Sequence, residues 1–235
     1  MVQSFPGVPI HIHAAEQTAE VQECLAWSGA RPVQWLLDNA DVDARWCLIH
    51  CTHMTGDEVR RLAQSGATVG LCPITESNLG DGIFLGVAYM AASGHFAVGT
   101  DSNVRIAANE ELRTLEYSQR LRDQRRNCLT GTAGPSTGRA IFDATLTGGT
   151  RALATEAGAI AVGKAADIAV LDDAHPSLAA RDGDTLLDAW IFAAGGAIKE
   201  VYARGRRVVA EGRHVQGDAI RKRYARTLAR LLANA

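Results

Sequence analysis

The sequence contains no apolar stretch approaching the roughly 18 residues needed to cross a membrane, which argues against a spanning helix. It shows no excess of charge of either sign. Its 24 basic and 26 acidic residues leave a net charge of −2, so no overall field favours nucleic acid or an anionic lipid surface, and a small-molecule partner is expected. Its five cysteines (Cys24, Cys47, Cys51, Cys72 and Cys128) form no CxxC pair. Their odd number, without a recognisable secretory signal, leads to the expectation of reduced thiols in a cytoplasmic protein. There is no low-complexity linker and no repeat beyond an alternation of short and long apolar patterns. What remains is a chain of 235 residues, 47% apolar, long enough to bury a core and unlike a disordered polypeptide.

That alternation is the signature of βα units around a parallel sheet. Val8 to Ala14 reads as a strand, followed by helices over Glu16–Ser28 and Arg31–Asn39, the latter with Pro32 in its first turn. Arg45–His50 is the next strand, and GDEVRRLAQSG after Thr55 a helix that Gly66 ends. Ala67–Cys72 and Phe96–Thr100 read as strands, with a helix over Phe84–Ser93 between them. Asn109–Cys128 is expected to be the longest helix, packing through Leu112, Leu115, Tyr117 and Leu121. Its arginine-rich end, Arg120 to Arg126, suits a solvated last turn favoured by the helix dipole better than a phosphate site. Ser136–Leu153 continues helical with Gly148-Gly149 as a break. After Gly158, AIAVGKAADIAVLD and IKEVYARGRRVVAEGRHV read as short strands separated by glycine turns, and Arg221–Asn234 as an amphipathic helix. The predicted division is 1–155, 156–216 as a small β domain, and 217–235 as a terminal helix. A buried-strand pattern within ten residues of Met1 is an abrupt opening for a domain.

Successive strands end in His13, His50, Cys72-Pro73 and Asp101, at spacings of about 30 residues that suit βα units. Catalytic groups on strand ends are the arrangement of the carboxyl face of a βα barrel. His11 and His13 share a strand face, with Glu16 where the strand gives way to the loop. Neutral imidazoles suit zinc, iron or manganese and a nearby carboxylate can move protons, although such a pair is also compatible with a buried, hydrogen-bonded role. Taken alone, His50 reads as structural and Asp101 as a turn or helix cap; their place in the series of strand ends is what raises them. His53 falls in the following loop or first helical turn. The polar loop TESNLGDGIF suits a pocket lining and a plain turn equally, and the apolar setting of Cys72 disfavours it as a nucleophile.

The series HIHAAEQ, LIHCTHM, LCPITESNLGDG and GTDSN resembles the second half of the amidohydrolase superfamily barrel. GAIAVGKAADIAVLD and VYARGRRVVAEGR are similar to that family's composite β domain. WLLDNADVDARWCLIHCTHM, CPITESNLGDGIF and GTDSNVRI followed by EELRTLEYSQRLR resemble its formimidoylglutamate deiminase branch. The resemblance implies an α/β fold, a partial TIM (β/α)8 barrel comprising strands five to eight, with part of the composite β domain. It implies His13 and Asp101 as metal ligands, Glu16 as proton shuttle, His50 as the group that polarises substrate, and Asp101 also as base. Arg105 and Ser102 would be pocket contacts, Arg105 being the candidate for the substrate's carboxylates. The cofactor would be one zinc ion, iron being accepted by the same ligands.

The implied reaction is hydrolysis of the amidine of N-formimidoyl-L-glutamate to N-formyl-L-glutamate and ammonia, a step of histidine breakdown, with a homodimer left open. Family members carry a first HxH pair on barrel strand one, for which this sequence has no counterpart, so two of four expected protein ligands are present. The expectation is a fragment whose barrel cannot close by itself. Another amidohydrolase acting on a guanine- or cytosine-like ring, or an inactive fragment, are the alternatives.

Overall fold

The computed structural model describes residues 6–102, 105–130 and 135–233, which fall into two compact units. The first comprises residues up to Glu156 together with Arg181–Ala193, and the second Ala157–Ala180 together with Ala194 onward.

In the first unit, strands β1 (Ile10–Ala14), β2 (Trp46–His50), β3 (Thr68–Leu71) and β4 (His95–Val98) form one parallel sheet in the order β1-β2-β3-β4. Helices α1 (Thr18–Ser28) and α2 (Pro32–Asn39) connect β1 to β2, and α3 (Gly56–Ser65) connects β2 to β3. Short helices α4 (Pro73–Leu79) and α5 (Gly86–Ala91) precede β4. Leu48, Val69 and Leu71 are wholly buried, because inner parallel strands covered on both faces carry continuous apolar runs. β1 differs: it lies at the sheet edge, and His11, Ile12 and His13 are exposed.

Helix ends follow local chemistry. Thr55 caps α3 through a reciprocal capping box with Glu58, and Gly66 ends the helix in the left-handed region at φ 77°. The buried Glu58 carboxylate also accepts from the Gln34 amide and, at 2.9 Å, from the Arg31 guanidinium, tying the start of α2 to α3.

Helix α6 (Ala108–Asp123) is shorter than the sequence predicts; a 3-10 turn at Cys128–Thr130 follows it. Leu112 and Leu115 are buried as expected, whereas Leu121 is 79% exposed and belongs to no packed face. Arg120 is not simply solvated: it pairs with the buried Glu116 at 2.7 Å and lies over the rings of Tyr117 and Phe192. Arg122 donates to the Phe84 carbonyl. These engagements, rather than the helix dipole alone, hold the arginine-rich end.

Helix α7 (Thr137–Ala152) runs unbroken through Gly148-Gly149, against expectation. The reason is packing. A Cβ on Gly148 would stand 1.9 Å from the Phe96 carbonyl oxygen, so glycine lets this helix approach β4. Helix α8 (Gly183–Phe192), which the sequence reading did not isolate, groups with this unit; Asp188 accepts from the Gly138 amide and Asp184 from the Arg139 guanidinium.

In the second unit β5 (Ile168–Leu171), β6 (Ile198–Ala203), β7 (Arg206–Ala210) and β8 (Arg213–His214) form an antiparallel sheet in chain order. The two-residue turns Arg204-Gly205 and Glu211-Gly212 have positive φ at both positions, the twist that tight hairpins need. The apolar AIAV segment is not a strand: Ile160 and Val162 are 89% and 107% exposed, without a strand partner among the described residues. α9 (Gly217–Leu232) closes the described chain.

Candidate active site

Parallel packing brings the carboxyl ends of β1, β2 and β4 together, and each end turns through a residue in the left-handed region: Ala15, His50 with Cys51, and Asp101, at φ of 52°, 68°, 51° and 50°. Non-glycine residues seldom adopt this conformation, and their concentration at strand ends marks a constrained site. The turn after β1 is fixed by Glu20, whose carboxylate accepts from the Ala15 and Glu16 amides at 2.7 Å each. The Cys51 amide in turn donates to the Ala14 carbonyl, holding the β1 and β2 ends in register.

His13, Glu16, His50 and Asp101 meet here. The His13 and His50 rings stack with centroids 5.3 Å apart. His50 Nε2 lies 3.5 Å from a Glu16 carboxylate oxygen and 3.9 Å from Asp101 Oδ2. Although Glu16 is within ion-pair distance, the nitrogen makes no directed hydrogen bond and is buried. The Glu16 and Asp101 side chains are each about one-quarter exposed, beside a fully buried imidazole. Asp101 also accepts from the Ser102 amide at 2.6 Å, so its turn-forming role and its place beside His50 coexist.

Burial pulls the His50 pKa down, but the hydrogen bond to Glu76 and the charges of Glu16, Glu76 and Asp101 outweigh it and set the imidazole above its ordinary value. Burial pushes the Cys72 thiol up to about 12, which removes it as a nucleophile at neutral pH.

Not every sequence candidate joins this cluster. His11, two residues before His13, has its Nε2 2.8 Å from the Ala152 carbonyl and takes no part in the stack. Arg105 is exposed and its Nε donates to Glu110 at 2.9 Å; Ser102 is exposed beside Asp101. Asn103 and Val104 of the GTDSNVRI motif lie outside the described residues.

Other members were not singled out by sequence. Glu76, on α4, sits behind His50 with its carboxylate 3.1 Å from Nδ1. Asp81 accepts from the Gln17 amide at 2.9 Å, and its backbone carbonyl lies 2.7 Å from the His53 ring, so the glycine-rich loop is bound to the β1 and β2 loops. The only sequence signal for either carboxylate was the polar character of TESNLGDGIF.

Among the described residues no group of three or more histidine, cysteine, aspartate or glutamate side chains is arranged to hold a metal ion. The imidazole of His13 and the carboxylate of Asp101, with an unbonded buried nitrogen between carboxylates, are donors of the kinds that such an ion takes.

Comparison with known proteins accounts for this geometry. The chain is 48% identical over 226 residues to a formimidoylglutamate deiminase of Pseudomonas aeruginosa, covering 96% of this chain and 50% of that enzyme. The crystal structure of an amidohydrolase from Brucella melitensis superposes with a TM-score of 0.91 at 47% identity, over 98% of this chain and 51% of that one. An adenosine deaminase from Xanthomonas campestris with bound zinc superposes with a TM-score of 0.84 at 26% identity, over 97% of this chain and 51% of that one. The chain thus spans about half the length of the relatives it matches most closely among these. Residues 3–208 match the model of the amidohydrolase family, and with the parallel sheet and its strand-end cluster they make this chain a member of that family.

Proposed function

We propose that the chain provides the carboxyl-terminal half of a formimidoylglutamate deiminase, hydrolysing N-formimidoyl-L-glutamate to N-formyl-L-glutamate and ammonia in histidine breakdown. The observation that carries the reading is the approach of Glu16 and Asp101 to the buried His50 Nε2, beside His13. Identity to the Pseudomonas deiminase supports formimidoylglutamate as the substrate. On this reading the first unit is the second half of a (β/α)8 barrel and the second unit part of a composite β domain, in a cytoplasmic enzyme.

His13 and Asp101 would hold a zinc ion together with ligands from residues outside this chain, iron being the alternative metal. When bound, the ion supplies acidification of a water to a nucleophile at neutral pH. Asp101 would accept a proton from the attacking water. His50 presents Nε2 to the tetrahedral centre, accepting a hydrogen bond from its N–H or O–H when the ring is neutral and donating one when it is protonated. Glu16 carries a proton to the departing nitrogen, so that the C–N bond breaks as ammonia leaves and the new C–O bond remains. Arg105 is the candidate for a substrate carboxylate; it would exchange Glu110 for that partner.

The test is ammonia release from formimidoyl-L-glutamate by the zinc-supplied protein, co-expressed with the amino-terminal half of the Pseudomonas relative, with guanine and cytosine as comparison substrates. Turnover of formimidoylglutamate that disappears in His13→Ala and Asp101→Ala is expected. Preference for either ring substrate, or no ammonia with a correctly assembled pair, overturns the assignment.

A further inference from the structure

The described structure places a second carboxylate behind the imidazole, on the side away from Glu16 and Asp101. Glu76 is 5% exposed; its Oε1 accepts from the Cys72 amide at 2.8 Å and lies 3.1 Å from His50 Nδ1. The amide contact is not incidental. Cys72 begins α4, Pro73 has no N–H to offer, and the Ile74 amide is taken by Glu111 at 2.9 Å, so the Cys72 bond anchors the Glu76 carboxylate where α4 starts. The imidazole is held equally firmly, being fully buried at a left-handed backbone position and stacked on His13.

We infer that Glu76 is a positioning residue for His50: by accepting the Nδ1 proton it fixes the ring's orientation and tautomer, so that Nε2 is the nitrogen presented to Glu16, Asp101 and the substrate. An ionised carboxylate has only acceptors, so its partner nitrogen carries the proton and, in the neutral ring, the opposite nitrogen carries the lone pair. Free histidine has no such constraint. The inference gives His50 its orientation within the proposed deiminase site, and to that extent rests on that reading; the hydrogen bond itself does not.

The test is heteronuclear NMR of the imidazole nitrogens in the purified chain, at alkaline pH where the neutral ring carries one proton. His50 is assigned by the signals lost in His50→Asn. In the unmodified protein His50 should show a protonated Nδ1 and a bare Nε2. Glu76→Gln should retain this pattern, because the Cys72 amide requires the glutamine oxygen at the position of Oε1 and that oxygen still accepts from the ring. In Glu76→Leu the resonances should shift to protonated Nε2 or to a mixture. Protonated Nε2 in the unmodified protein overturns the inference even if the leucine variant fails to fold. An unchanged pattern in a folded leucine variant overturns it as well. Because the readout needs neither metal nor substrate, it stands or falls separately from the deiminase assay.

Discussion

The imidazoles of His13 and His50 lie face to face, with planes inclined by 19° and centroids 5.3 Å apart, while His11 on the same strand is turned to the Ala152 carbonyl. The two histidines of the HIH motif therefore have separate partners, and substitutions should separate them. In the protein co-expressed with the amino-terminal half of the Pseudomonas relative, His13→Ala should abolish zinc retention through gel filtration. His11→Ala should keep close to one equivalent by elemental analysis, with a thermal shift from its lost contact. Equal loss of metal in both would contradict the division.

Glu111 should give stability an unusual pH slope. It is 1% exposed; burial raises its pKa to about 7, although the Ile74 amide bond opposes the rise, and its Oε1 is buried without a partner. A carboxyl whose folded pKa exceeds its unfolded value binds its proton more tightly when folded. Its contribution is present in full below the unfolded value near 4.5, declines as pH rises, and is lost once pH passes about 7. The loss amounts to about 3 kcal/mol over that window. Urea unfolding at a series of pH values should show the decline, and Glu111→Gln should flatten it.

Two adjacent glycines should respond oppositely to alanine. At Gly148 a methyl group would collide with the Phe96 carbonyl at 1.9 Å, so Gly148→Ala should lose roughly 1–3 kcal/mol or more as α7 moves off β4. At Gly149 nothing lies within 4 Å, so Gly149→Ala should gain up to about 1 kcal/mol from helix propensity. Chemical denaturation of both variants decides whether close approach, rather than a helix break, explains the pair.

Those glycines also show where sequence reading stops. The parallel sheet and the strand-end residues His50 and Asp101 were legible because buried strands are apolar runs and a polar residue after each stands out, whereas His13 stood out through the HIH alternation of the edge strand β1. Gly148-Gly149 looked like a break because a sequence does not reveal which backbone lies across the interface. Glu76 was invisible for a related reason: it sits among turn-forming residues, and its meaning depends on a ring 26 positions away. The apolar AIAV segment alternates like a strand, but pattern alone does not provide a neighbouring strand. Helix α8 passed unnoticed between strands of the second unit, since its grouping with the first depends on Asp184 and Asp188 meeting α7.

The exposed edge of β1 also sets a clock. Ile10 donates its amide to Arg45 and Ala14 accepts from Cys51, so alternate residues of this strand turn their backbones toward β2 and those between turn them outward. In deuterated water the amides of His11 and His13 should therefore exchange at nearly the rate of an open chain. Those of Leu48 and Val69, deep in the same sheet, should persist until the whole unit opens. Supplying the amino-terminal half of the Pseudomonas relative should slow the His11 and His13 signals if it pairs with this strand, making two backbone protons a direct report of assembly that requires no catalysis.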